Sequence, residues 1–111
     1  MSASPSERAT AHQARIVQAI FRAIDEVNPA RPFEMRVQKS LEAALIGEDA
    51  VLDSLGLVNL IVAIEEQIAE GFGVTINIAD EKARSQPSSP FRTIQMLAAY
   101  ISTLLEGQDH G

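Results

Sequence analysis

The chain of 111 residues has no cysteine and no tryptophan, a single tyrosine and only four phenylalanines. Without cysteine there is no disulfide framework, no thiolate metal site and no cysteine nucleophile, so any thiol chemistry must be imported. Histidine is nearly absent too: His12 and His110 both stand near the ends of the sequence. No apolar run is long enough to span a bilayer. Residues Met1 to Thr10 are polar and rich in Ser and Ala, without the apolar core of a secretion signal, so a cytoplasmic protein is expected. The last scarcity is local. Between Lys39 and Lys82 there is no basic residue, while Glu42, Glu48, Asp49, Asp53, Glu65, Glu66, Glu70, Asp80 and Glu81 all fall in that interval.

The formal net charge is −6, from 15 acids and 9 bases. Nine of those acids lie in the middle block, so the remainder of the chain is net basic. An anionic middle repels nucleic acid and anionic membrane and speeds encounter with a partner that carries a basic patch. A solvated acidic face that keeps a small protein soluble is the plainer account of the same charges. Length favours one domain, and 46% hydrophobic residues suffice for a modest core. The expected layout is an irregular start over residues 1–10, one domain over 11–106 and a frayed end over 107–111.

Amphipathic periodicity predicts the elements. From Ala11 to Val27, Ile16, Ile20, Ile24 and Val27 share a face, and Asn28-Pro29 should end that helix. A long connection follows to Asp53, with Pro29, Pro32 and Gly47. A short helix between Glu34 and Leu45 could bury Met35, Val37 or Leu41. A second helix begins at Asp53-Ser54 and presents Leu57, Ile61, Ile64 and Ile68 on one face, with Val58 and Val62 on a neighbouring stripe. Gly71 and Gly73 around Phe72 read as stop signals. Val74, Ile76 and Ile78 alternate as a packed loop would. Asp80 to Arg84 is expected to form one further helical turn before a Ser/Pro stretch. Phe91, Ile94, Leu97, Ala98, Ile101, Leu104 and Leu105 mark a final helix. The fold class expected is all-α, a small four-helix bundle of three longer helices and one short one, and a monomer.

The most informative segment is Asp53-Ser54-Leu55-Gly56-Leu57-Val58, running on to Glu65-Glu66. Asp or Ser ahead of an apolar run is a favoured helix N-cap. A phosphate carried by a serine at a helix N-terminus sits in favourable electrostatics, worth about 0.3–1 kcal/mol when exposed. Ser54 would therefore suit a phosphodiester. A serine hydrolase would need a base beside Ser54, but both histidines are terminal in the sequence and no Gly-x-Ser-x-Gly elbow surrounds the serine. Spacings of His and acids suited to a metal site are absent as well, and adjacent glutamates are usually just solvated.

This segment resembles the attachment motif of acyl carrier proteins. The resemblance covers roughly Leu45 to Leu105 and is strongest from Leu52 to Glu66. Phe91-Arg92-Thr93-Ile94, leading to Tyr100-Ile101, looks like the closing segment of that family. The resemblance implies a four-helix bundle, with Ser54 receiving 4′-phosphopantetheine from coenzyme A through a separate phosphopantetheinyl transferase. The role implied is transport, with acyl groups held as thioesters for partner enzymes of lipid, fatty-acid or secondary-metabolite synthesis, and no catalysis by the carrier. Recognition in such carriers uses the helix after the serine, which implies a partner surface at Asp53, Leu55, Val58, Val62, Glu65 and Glu66 for enzymes with basic docking patches. Shelter of cargo would fall to Leu60, Ile61, Ile64, Ile68, Ile76 and Leu97, though plain core packing is the simpler account of each. Gly56 and Asn59 depart from the pattern, since many fatty-acid carriers have acids there. Glycine at the first of these occurs in D-alanine carriers, so an amino-acyl or peptidyl carrier stays open. So does an unmodified helical interaction module in which Ser54 is simply a cap.

Overall fold

The computed structural model describes residues 5–47, 50–78 and 91–108, with the side chains of 5–11, 54, 107 and 108 left aside. Three helices account for most of it: α1 (Pro5–Val27), α2 (Ser54–Phe72) and α3 (Ile94–Gln108). Two short 3-10 turns, Asn28–Ala30 and Phe33–Met35, lie in the connection between α1 and α2. Among the described residues there is no strand, only an isolated bridge between Ala44 and Thr93. The class is therefore all-α. The further helical turn expected at Asp80 to Arg84 lies outside the described residues.

Each helix contributes one apolar stripe to a common core. Helix α1 buries Ile16, Ala19, Ile20, Ala23 and Ile24, and α2 buries Leu60, Ile61, Ala63, Ile64 and Ile68. Helix α3 adds Ile94, Leu97, Ala98, Ile101 and Leu105. These positions recur at three- and four-residue intervals, so burying each stripe removes a continuous apolar face from water. Helix α1 packs against both of the others. No polar or charged residue is buried among those described.

The ends of the helices show where local signals acted. Helix α1 starts at Pro5, within the residues expected to be irregular. Proline suits a first helical turn because its fixed φ is already helical and its missing N–H would have had no partner. Helix α2 runs through Gly71 and stops at Phe72; Gly73, at φ 70°, donates its N–H to the Ala69 carbonyl at 3.0 Å. A left-handed glycine of this kind closes a helix at little conformational cost. At α3, Thr93 caps the start through its hydroxyl, which accepts the Met96 N–H at 3.2 Å.

The long connection is ordered by polar contacts more than by periodicity. The amide side chain of Asn28 donates to the Val37 carbonyl and accepts the Val37 N–H, both at 2.9 Å, imitating a strand neighbour. No helix forms between Glu34 and Leu45 beyond the turn at Phe33–Met35. Of the three residues expected to be buried there, Val37 is, whereas Met35 and Leu41 are exposed. Backbone bonds from Leu45 N–H to the Arg92 carbonyl (2.9 Å) and from Gln95 N–H to the Leu41 carbonyl (2.9 Å) fasten the connection to the start of α3. After α2, Ile76 and Ile78 are buried in a chain without strand pairing, the packed loop that their alternation predicts.

Candidate functional site

Ser54 is the first residue of α2, and Asp53 is its cap. Asp53 has extended backbone, its Oδ1 accepts the Gly56 N–H at 2.7 Å, and its carbonyl accepts the Leu57 N–H at 2.9 Å. The aspartate thus satisfies one of the four N–H groups that a helix start leaves without a partner. The capping role that the sequence shared between Asp53 and Ser54 falls to Asp53.

The three loops and turns around that helix start meet at Arg31. Its Nε donates to the Met35 carbonyl at 2.7 Å and its Nη2 to the Val51 carbonyl at 3.0 Å. Its Nη1 lies against Gly56: a Cβ built on that glycine would stand 2.8 Å from Nη1, 3.0 Å from Asp53 Oδ1 and 3.2 Å from Leu52 Cδ2. Gly56 is accordingly buried, and the close approach it permits is that of a guanidinium from the same chain. The result is a cation set at the first turn of a helix whose own N-terminus carries partial positive charge. The sequence contains no spacing that would single out Arg31. It lies in a loop more than 20 residues before Ser54.

The outer face of α2 is unusual for its apolar exposure. Leu55 is 69% exposed, Val58 54% and Val62 47%. With Glu66 they recur at intervals of three and four and form one stripe running from the first turn towards the middle of the helix. Four of the residues expected at a partner surface, Leu55, Val58, Val62 and Glu66, therefore share an exposed face. Asp53 is exposed beside it, but its carboxylate is engaged as the cap. Glu65 is different: half-buried, it turns a carboxylate oxygen to the Ile78 N–H at 2.8 Å.

The six residues assigned to shelter of cargo, Leu60, Ile61, Ile64, Ile68, Ile76 and Leu97, are all core. His12 sits edge-on to Phe72, the last residue of α2, with ring centroids 5.4 Å apart. Nineteen residues of α-helix separate that end from Ser54 by about 27 Å, at about 1.5 Å per residue. His12 is thus no base for the serine. His110 lies outside the described residues, as do Glu48, Asp49, Asp80 and Glu81 of the acidic block. Among the described residues no helix is long and apolar enough to cross a membrane, and no three acids or histidines group as metal ligands do. Comparison of the chain with protein-family models, with curated proteins and with solved structures finds no match.

Proposed function

We propose that this protein is an acyl carrier, with Ser54 as the attachment point for 4′-phosphopantetheine and the exposed stripe on α2 as the surface its partner enzymes read. The observation that carries this reading is the Asp53-Ser54-Leu55 motif at the first turn of a helix whose solvent face exposes Leu55, Val58 and Val62 and ends in Glu66. Three aliphatic side chains exposed in one stripe of a helix suit a docking surface. The residues around Ser54 also fit the group. Asp53 takes the capping role at the helix start, so that role does not fall to Ser54, and Arg31 puts a guanidinium at that turn, where a phosphodiester would be stabilised by cation and helix N-terminus together.

The group supplies what the chain lacks, a terminal thiol able to hold an acyl unit as a thioester. The remaining tasks fall to the chain's own residues. The bundle that contains α1, α2 and α3, on this reading one of the four-helix type, gives Ser54 a fixed position. The aliphatic stripe gives partners contact area, and Glu66 with the acids around it gives direction to encounter with basic surfaces. A tether at Ser54 raises the local concentration of cargo at whichever partner has docked. Asn59, exposed on α2 where many fatty-acid carriers have an acid, points to partners other than those of a housekeeping fatty-acid carrier, as in a dedicated lipid or secondary-metabolite route.

Intact-protein mass spectrometry after incubation with coenzyme A, Mg²⁺ and a broad-specificity phosphopantetheinyl transferase tests the reading. A single phosphopantetheinyl increment on the native chain, absent from Ser54→Ala, is expected. A folded chain that gains no mass with several transferases would leave an unmodified interaction module.

A further inference from the structure

Beside the start of α2 lies a cleft of about 540 Å³, walled on one side by the stretch from Phe33 to Gln38 and on the other by Ala43, Ala44 and Val51. We infer that this cleft is the resting groove of the pantetheine arm carried by Ser54. The inference builds on the carrier reading above and adds a binding site outside the helical core.

Position is the first reason. Val51 lines the cleft and precedes Ser54 by three residues, a separation of at most about 11 Å along the chain. Arg31 brings the two still closer. Its guanidinium binds the carbonyl of Met35, which stands between Glu34 and Arg36 of the lining, and the carbonyl of Val51, itself in the lining, and it touches Gly56 in the first turn of α2. One side chain thus ties Val51 of the lining, and the stretch that holds Glu34 and Arg36, to the turn that bears the serine.

Size and chemistry are the second. The volume falls within the range of small-molecule sites, about 300–1,000 Å³. Val37, Ala43, Ala44 and Val51 are apolar residues of the lining, and Glu34, Arg36 and Gln38 are polar ones. A pantetheine arm has the matching pattern: a dimethyl-bearing carbon and methylenes interrupted by two amides. A purely apolar acyl chain would gain less from such a lining, since the polar groups around it would lose water without a partner.

The third reason is Phe33, which is 82% exposed in the wall of this cleft. Its ring is fixed by no core contact; Arg36 lies over it at 5.8 Å. An arm laid along the wall would cover that ring. In the core, by contrast, Leu60, Ile64, Ile68 and Leu97 are sealed from solvent.

The test compares the full chain before and after transferase loading, by amide NMR and by the rate at which the arm's thiol is alkylated. Loading should shift the amides of Phe33, Val37, Ala44 and Val51 and give nuclear Overhauser contacts from the arm's methyls to Val37 and Val51. An arm lodged there nine-tenths of the time should be alkylated about 10-fold more slowly than free pantetheine. Phe33→Ala, at an exposed position that leaves the core alone, and Ala44→Phe, which adds bulk to the lining, should each return the rate towards that of free pantetheine. Shifts confined to residues 53–57 with a thiol as reactive as free pantetheine, or arm contacts to Leu60, Ile64 and Leu97, would overturn the cleft and leave the carrier intact. A chain that accepts no arm would overturn both.

Discussion

The carboxylate of Glu65 accepts the backbone N–H of Ile78 at 2.8 Å, so α2 holds down the chain that leaves its own C-terminus. Thirteen residues separate the two, and between them the chain reverses at Gly73 and buries Ile76. The bond supplies a partner to a backbone N–H in a segment with no strand or helix to provide one. It also divides the Glu65-Glu66 pair into one structural and one solvent-facing acid.

That division can be measured. Glu65→Ala leaves the Ile78 N–H without its acceptor and should cost about 1–3 kcal/mol in denaturant unfolding. Glu66→Ala, on the exposed side, should stay within about 0.5 kcal/mol of the native chain. Equal losses for the two, or none for Glu65, would show that the latch does not hold in solution.

Asp53 and Ser54 separate in the same way. Asp53→Ala removes the acceptor of the Gly56 N–H and should cost about 0.5–2 kcal/mol. Ser54→Ala leaves that cap in place, so thermal unfolding should be nearly unchanged while phosphopantetheinyl loading is lost. A Ser54→Ala chain that still took up the group would place attachment elsewhere.

The helices were legible in the sequence because their apolar residues repeat at helical intervals and each stripe had one place to go. Ile16, Ile20 and Ile24, or Leu97 and Ile101, declare a buried face without any knowledge of the partner helix. The segment before α2 had no such repeat. Its course depends on Asn28 reaching Val37 and on Arg31 reaching Met35 and Val51, side-chain bonds between residues 4 to 20 apart that leave no periodic trace. For the same reason Ser54 stood out and Arg31 did not. A cap before an apolar run is a local signal, whereas a guanidinium fitted over a glycine is visible only once the loop has closed. Even Glu65, adjacent to Glu66 and identical in type, took its separate role from the returning chain.

Gly56→Ala should not gain the roughly 1 kcal/mol that replacing glycine within a helix ordinarily gives. The new methyl would stand 2.8 Å from Arg31 Nη1 and 3.0 Å from the capping Oδ1 of Asp53. The guanidinium is the mobile neighbour, so it should yield, and its bond to the Val51 carbonyl should weaken with it. A melting temperature at or below that of the native chain, with amide shifts at Met35 and Val51, is expected. A clear rise in melting temperature with those amides unmoved would mean that Arg31 is not seated over the glycine.

At the other end of α2, Arg15 in α1 lies 4.3 Å from the centroid of Phe72 and donates Nη2 to the Gly71 carbonyl at 2.8 Å. Both contacts act at a helix C-terminus, where carbonyls lack partners and a cation meets the negative end of the dipole. They also tie α1 to α2 at the end far from Ser54, so the loss from removing the arginine should appear in stability and leave loading of Ser54 intact. Arg15→Ala should cost about 1–2 kcal/mol, combining an exposed cation–π contact with a charge at the helix end. Arg15→Lys should recover only part of this, because an ammonium keeps the charge but lacks the planar fork that stacks and donates together. Phe72→Leu removes the ring and spares the bond to Gly71. A double-mutant cycle between Arg15→Ala and Phe72→Leu should therefore return a coupling of about 0.5–1 kcal/mol for the stacking alone. A coupling near zero, with the full cost of Arg15→Ala retained, would assign the arginine's whole effect to the carbonyl and the dipole and none to the ring.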